Sequence, residues 1–257
     1  MATAGSKKKV KNKRIEKHVP APKRVKRMNR KSVIALAGIL LVSFLIYLPA
    51  MKGEFVWDDY VYVQSNPMIY SFDLAQIFSK YVLGNYHPLT MLVLSIEYSL
   101  FGFNVVGYHF INVLIHLANT LLVFRLVLLL CRKDAIALIA ALFFGIHPLH
   151  VESVAWVSEL KDLLYSLFFL ASCVAYVNYI NKRQSKYYFF ALALFILSLL
   201  SKAMAASLPL VLILFDYFKG NLNRKAVLQK IPFFLLSVCF GLIAISAQKS
   251  TDRKSVV

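Results

Sequence analysis

Two groups of residues in this chain are of types that do chemistry. Trp57-Asp58-Asp59-Tyr60 sets adjacent carboxylates just past one apolar run, and His147-Pro148-Leu149-His150-Val151-Glu152 sets two imidazoles and an acid just past another. Adjacent acids can split roles, one accepting a proton while its neighbour orients a group or meets a cation. The two histidines could ligate a metal with carboxylate help, although their spacing is not that of a helical zinc site. Neutral imidazole and carboxylate could equally grip a phosphate or a sugar. If a helix restarts at Pro148, Glu152 and Trp156 share a face, whereas His150 and Glu152 do not. Glu159, Lys161 and Asp162 open a later apolar run, where Lys161 suits either a lipid phosphate or a salt-bridged anchor in the headgroup layer. Lys202 alone interrupts the stretch from Tyr187 to Phe215. A cation left in lipid costs about 2.5–3.5 kcal/mol on insertion scales, which makes Lys202 a partner for an acid or an anionic substrate. His87, ahead of Pro88, is a further pocket residue.

The elements that must position these groups are membrane helices. Hydrophobic residues make up 59% of the 257, charged residues 16%, and the mean hydropathy is +0.64. Charge-free runs cover 32–51, 98–124, 135–151, 163–181, 187–201, 203–215 and 231–248. Five of them reach the ~17 residues that a span needs. The expected fold is an all-α polytopic bundle of about seven spans. These are Ser32–Pro49, Val106–Leu128, Asp134–Ile146, Asp162–Tyr179, two short helices broken near Lys202 within 187–218, and Ile231–Ser246. Ser71–Lys80 reads as a short surface helix with Ser71 or Asp73 near its cap, and His87–Leu100 as an interfacial helix or the lead-in to the second span.

The net charge of +18 is concentrated at one end. Residues 1–31 carry thirteen Lys or Arg against a single acid, Glu16. Such a tail does not fold alone, and next to a membrane it lies against anionic lipid rather than nucleic acid. Basic residues stay on the cytoplasmic side. The tail is therefore cytoplasmic, the first span is an uncleaved signal anchor, and 51–105 is an extracytoplasmic loop. Alternation then puts Asp58, Asp59, His147, His150, Glu152 and Lys202 on one side. The last residues, 248–257, read as a non-native or truncated tail.

Within the second span, His109, Asn112, His116 and Asn119 fall on one helical face, a pattern for hydrogen bonds between helices. Asp216-Tyr217 reads as a span end at the inner face. The three cysteines include no Cys-x-x-Cys, so thiolate metal sites and redox pairs are unsupported. No P-loop, dinucleotide fingerprint or Gly-x-Ser-x-Gly occurs. No cofactor is implied; a divalent metal is compatible but unsupported.

Five blocks together resemble a known family. They are Phe55-Val56-Trp57-Asp58-Asp59; Tyr86-His87-Pro88-Leu89-Thr90; Phe101-Gly102-Phe103-Asn104 through Tyr108-His109-Phe110-Ile111-Asn112 to His116; His147 through Trp156; and Ser201-Lys202-Ala203-Met204 through Pro209. In order and spacing they resemble the amino-terminal membrane region of the transmembrane and tetratricopeptide-repeat glycosyltransferases, which include protein O-mannosyltransferases, over about residues 33–247. The resemblance implies a GT-C-like helix bundle and a sugar donor on polyprenyl or dolichyl phosphate. It also implies a protein or glycan acceptor on the extracytoplasmic side, and Asp58 or Asp59 as the base that deprotonates the acceptor hydroxyl. Lys202, and His147 or His150, would steady the donor phosphate. Family members often carry Arg where this chain has His87, and Lys-Glu where it has Lys202-Ala203. They also carry further spans and helical repeats, so the chain reads as part of such a protein. The bacterial inner membrane and the endoplasmic reticulum are both compatible locations. A non-enzymatic scaffold or a lipid-linked-sugar transporter is the alternative.

Overall fold

The computed structural model describes residues 28–255, and the basic tail expected over 1–31 lies outside them except at its last few residues. Every regular element there is helical, as the apolar runs require. Short polar side chains start several of them. Asn29 accepts the amide of Ser32 at 2.7 Å and opens α1 (Arg30–Ile46). Asn66 caps α2 (Pro67–Tyr70), Asp73 caps α3 (Leu74–Ser79), and Pro88 stands at the first position of α4 (Pro88–Phe101). The surface helix expected near Ser71–Lys80 is therefore α3, with Asp73 as its cap. Asn104 caps α5 (Val105–Cys131), which is followed by α6 (Asp134–Ile146), α7 (Val151–Ala155), α8 (Leu160–Lys182) and α9 (Ser185–Ser201). The chain closes with α10 (Leu208–Phe218), α11 (Arg224–Leu228) and α12 (Ile231–Ser255). α5 and α8 end on Arg132 and Arg183 in left-handed conformation, with φ of 57° and 56°. Arginine is not the usual residue there, but its charge complements the negative helix end.

Four helical stretches are long and apolar enough to cross a membrane: Arg30–Lys52, Val105–Cys131, Val157–Lys182 and Arg224–Ser250. A fifth results if α6 and the Pro148–Ala155 segment, bent by 49°, count as one broken span. α4, α9 and the Ala203–Phe218 helix are apolar but shorter. The protein is thus an integral, multi-pass, all-α membrane protein, and the expected count of about seven exceeds what length and composition alone establish. The 187–218 stretch is two helices, broken where Lys202 ends α9 in extended backbone (φ −160°, ψ 132°). α12 runs past the expected boundary at 247 without a break.

Side-chain contacts set the order of the bundle. α1 and α6 run parallel: Ser32 Oγ donates to Asp134 Oδ2 at 2.6 Å near their starts, and Ser43 meets Gly145 near their ends. A Cβ on Gly145 would collide with Ser43 Oγ, so this close approach requires glycine. α8 and α9 form an antiparallel hairpin, tied by Ser172 Oγ to Ala191 O at 2.7 Å and Ser198 Oγ to Tyr165 O at 2.8 Å. α10 runs beside α8 in the same direction, and α12 returns along it, with Ser237 Oγ donating to Ala206 O at 2.9 Å.

One end of the bundle consequently gathers Asp134, Arg132, Arg183, Lys219 and Lys230. Lys219 Nζ donates to Leu129 O and Leu130 O at the end of α5. There Asp216, expected at a span edge, is buried instead. It accepts from Tyr176 Oη at 2.8 Å and pairs with Lys230, which is fully buried. Both residues sit at run edges in the sequence, where headgroup charges also sit, so nothing local marks them as a pair. The opposite end gathers the 53–66 segment, the start of α4, the turn before α8 and the end of α9.

Candidate functional site

The two adjacent acids have different surroundings. Asp59 is wholly buried: Oδ2 accepts the amide of Val56 at 2.9 Å, and Oδ1 accepts the amide of Ser158 at 2.7 Å. Burial pushes this carboxyl above its ordinary range, while the amides of Val56 and Ser158, the Ser158 hydroxyl and the nearby His109 ring pull it back. Asp58 is half-buried and makes no side-chain hydrogen bond or ion pair with the described residues. Just before it, Trp57 is held at φ 46°, uncommon for a residue with a side chain and a mark of backbone strain. Its ring meets that of Trp156 edge-on, centroids 5.3 Å apart.

The lysines meet at the start of α8. Lys161 Nζ lies 2.6 Å from Glu159 Oε1 and donates to Ser158 O at 3.3 Å. It also stands over the rings of Tyr62 and Trp156, 5.1 Å and 5.7 Å from their centroids. Lys202 pairs with Asp162 and reaches Glu159 Oε2 at 3.9 Å, so Glu159 lies between the two ammonium groups. Thr90 Oγ1 donates to Ser201 O at 3.0 Å and ties α4 to the break that carries Lys202.

His87 completes this group. It stacks obliquely on Tyr62 at 5.3 Å, is 3% exposed, and its Nε2 has no partner among the described residues. Its pKa falls from the usual 6.5 to about 3, first through burial and then through the charges of Lys161 and Lys202. A neutral imidazole with an unpaired nitrogen beside two ammonium groups is suited to an oxyanion.

His147 and His150 form a separate group deeper along α5. His147 Nδ1 accepts the amide of Leu149 at 3.2 Å. The His150 ring lies 4.4 Å from Phe144 and 5.6 Å from His116, whose Nε2 bonds to Gly145 O at 3.0 Å. Glu152 is exposed and, among the described residues, pairs with neither histidine. No set of three or more His, Cys, Asp or Glu able to hold a metal occurs among the described residues. The histidines therefore do not join Lys161 and Lys202 directly.

A groove lies between the two groups. It encloses about 290 Å³ and is lined by Phe144, Tyr165, Ser166, Phe169, Leu170, Met204 and Ser207. Phe144 carries His150 on its ring, Met204 follows Lys202 by two residues, and Ser166 lies one turn along α8 from Asp162. An apolar trough thus begins beside the charged network.

The α5 face behaves as its spacing indicates. Asn112 Nδ2 donates to Val154 O and Trp156 O at 3.4 Å and 3.3 Å, and Asn119 Nδ2 to Leu163 O at 3.0 Å. Nothing in the spacing marks Thr90 for its contact with Ser201, or Asp162 as the partner of Lys202. No spacing rule links residues 40 positions apart.

The described residues thus form an all-α, multi-pass membrane bundle with adjacent acids and a lysine network gathered at one end. The family model described as dolichyl-phosphate-mannose-protein mannosyltransferase matches residues 86–248, and the chain belongs to that family. The resemblance read from the five blocks is borne out. Protein O-mannosyl-transferase F38B6.6 of Caenorhabditis elegans is 30% identical over 154 residues, 54% of this chain and 22% of that one. Protein O-mannosyl-transferase TMTC4 of Homo sapiens is 31% identical over 160 residues, 52% and 22%. Protein O-mannosyl-transferase TMTC3 of Mus musculus is 31% identical over 162 residues, 59% and 17%. The matched part spans about a fifth of the length of these relatives. No solved structure matches.

Proposed function

We propose that the chain is the membrane portion of a transferase that moves a sugar, of the mannose type its relatives' names carry, from a polyprenyl or dolichyl phosphate to a hydroxyl of a protein or glycan acceptor. The transfer takes place on the side away from the basic tail. Asp58 is the base. It takes the acceptor's proton as the acceptor oxygen bonds the anomeric carbon; the bond from that carbon to the phosphate oxygen breaks, and the lipid phosphate leaves with the electron pair. Lys202 is the more exposed of the two ammonium groups, with its side chain 28% exposed against 11% for Lys161. It exchanges Asp162 for the donor phosphate, and Lys161 and His87 add to the field that stabilises the departing charge. The isoprenoid chain lies in the trough past Met204 and Phe144. His147 and His150 flank that trough rather than the phosphate. In this reading α6, α9 and α10 also cross the bilayer while α4 lies at the interface, which makes a GT-C-like bundle of about seven spans with a cytoplasmic tail.

The observation that carries this reading is the nearness of His87 to Lys161 and Lys202, from three separate elements, with the groove lined by Met204 two residues past Lys202. Its test is transfer from labelled lipid-linked mannose by the full-length protein, with the acceptor read by mass spectrometry. Binding of the donor with no new glycosidic bond would place the chain with scaffolds or transporters instead.

A further inference from the structure

Beneath the acids lies a second polar site. Asp59, His109, Asn112 and Ser158 are each no more than 1% exposed. They come from the first loop, α5 and the turn before α8. Three of their atoms have no hydrogen-bond partner among the described residues, both ring nitrogens of His109 and Asn112 Oδ1, while the Ser158 hydroxyl lies beside the Asp59 carboxylate. Ser158 is attached to Asp59 through its amide, and His109 and Asn112 lie one turn apart on the same face of α5. Gly53 roofs the site: a Cβ there would come within 3.1 Å of His109 Nε2. The carboxylate of Asp59 has used one acceptor direction on each oxygen and keeps others.

Buried polar atoms left unpaired cost about 1–3 kcal/mol each, and native interiors seldom carry several together. The chemistry of the set identifies what satisfies them. A neutral imidazole supplies one donor and one acceptor, Ser158 supplies both, and Asn112 Oδ1 and Asp59 accept only. An anion would face two acceptors, and among the described residues no set of three ligating side chains converges here for a metal. A neutral molecule that both donates and accepts, small enough for a closed interior, is water.

We propose that this pocket is a built hydration site in which ordered water bridges His109 to Asp59 and Ser158, and that His109 is thereby a positioning residue for the neighbouring Asp58. The bridge braces the segment from Gly53 to Asp59 against α5, and so fixes where the strained Trp57-Asp58 step points. The positioning role rests on the assignment of Asp58 as the base; the water site does not.

The test has two arms. In a structure of the full-length protein in lipid nanodiscs, resolved well enough to show ordered water, we expect density within about 2.7–3.2 Å of a His109 ring nitrogen and of Asp59 or Ser158. A dry site overturns the proposal. In transfer assays, His109→Leu, which keeps bulk but removes both nitrogens, is expected to lower kcat about tenfold while leaving donor KM within about twofold. His109→Gln is expected to restore most of the rate. A His109→Leu protein that elutes as a single species and retains full kcat overturns the positioning role. If His109→Leu does not fold, the density and the kcat of His109→Gln decide. Full transfer by Asp58→Asn would sink the base assignment alone, with the water density unaffected.

Discussion

The amide of Ser158 donates to Asp59 Oδ1 at 2.7 Å, between residues 99 positions apart. This bond separates the surroundings of the adjacent acids. It holds Asp59 inside the protein as a fastener between the first loop and the start of α8, and leaves Asp58 unengaged at the mouth. Asp58→Asn is therefore expected to reduce transfer at least a hundredfold with unfolding temperature unchanged. Asp59→Ala strands the buried amide of Ser158 and the partly buried amide of Val56, and is expected to destabilise by about 1.5–3 kcal/mol per lost charged hydrogen bond at most. Thermal unfolding in detergent, measured beside activity, tells the two apart; equal effects on both readouts would contradict the division.

Lys202 and Asp162 should respond in opposite directions. Lys202→Gln removes the accessible cation and is expected to raise donor KM more than tenfold. Asp162→Asn removes its competitor for phosphate and is expected to lower donor KM or leave it unchanged. A parallel loss of donor affinity in both variants would show that the pair acts only as a unit of structure.

At the other end, the Asp216–Lys230 pair has Tyr176 hydrogen-bonded to both residues. Removing one member leaves an uncompensated buried charge, at a cost of about 3–5 kcal/mol. Lys230→Met alone is expected to lower the unfolding temperature sharply. The double variant Asp216→Leu/Lys230→Met should recover most of the loss, since well-packed apolar replacements of buried pairs are often neutral. Transfer by the folded double variant should match the wild type.

Gly145 sets how closely α1 approaches α6. Gly145→Ala is expected to cost about 1–3 kcal/mol through overpacking against Ser43. Adding Ser43→Ala, which removes the oxygen that the new Cβ would strike, should return part of it. A thermal melt of the two variants checks this.

The pH dependence follows from His87. Its pKa falls from 6.5 to about 3 on folding, so between those values the unfolded chain binds the extra proton. Its contribution to stability is full above about pH 6.5 and is lost as pH drops towards 3, with a slope of at most ~1.4 kcal/mol per pH unit. Denaturation across pH 4–7 should show this slope, and His87→Gln should flatten it.

Particular residues show how much was legible beforehand. The Asp73 cap, the break at Lys202, the polar face from His109 to Asn119 and the family blocks all depend on neighbours within a few turns. Capping, helical period and the aversion of charge to lipid act at that range, so order and spacing along the chain express them. The helical, multi-pass architecture followed from them, as did the gathering of Asp58, Asp59, Lys161 and Lys202 at one end of the bundle. Three things did not: that Asp59 is buried while Asp58 is open, that Lys202 meets Asp162 while His150 lies apart on Phe144, and that Lys230 is paired inside rather than hydrated outside. Each depends on which distant helix packs alongside, and two residues at equivalent run edges look alike until packing removes water from one of them. The chain by itself determined which residues stand at the ends of membrane helices; tertiary packing decided which of those were sealed from water and which were left accessible to it.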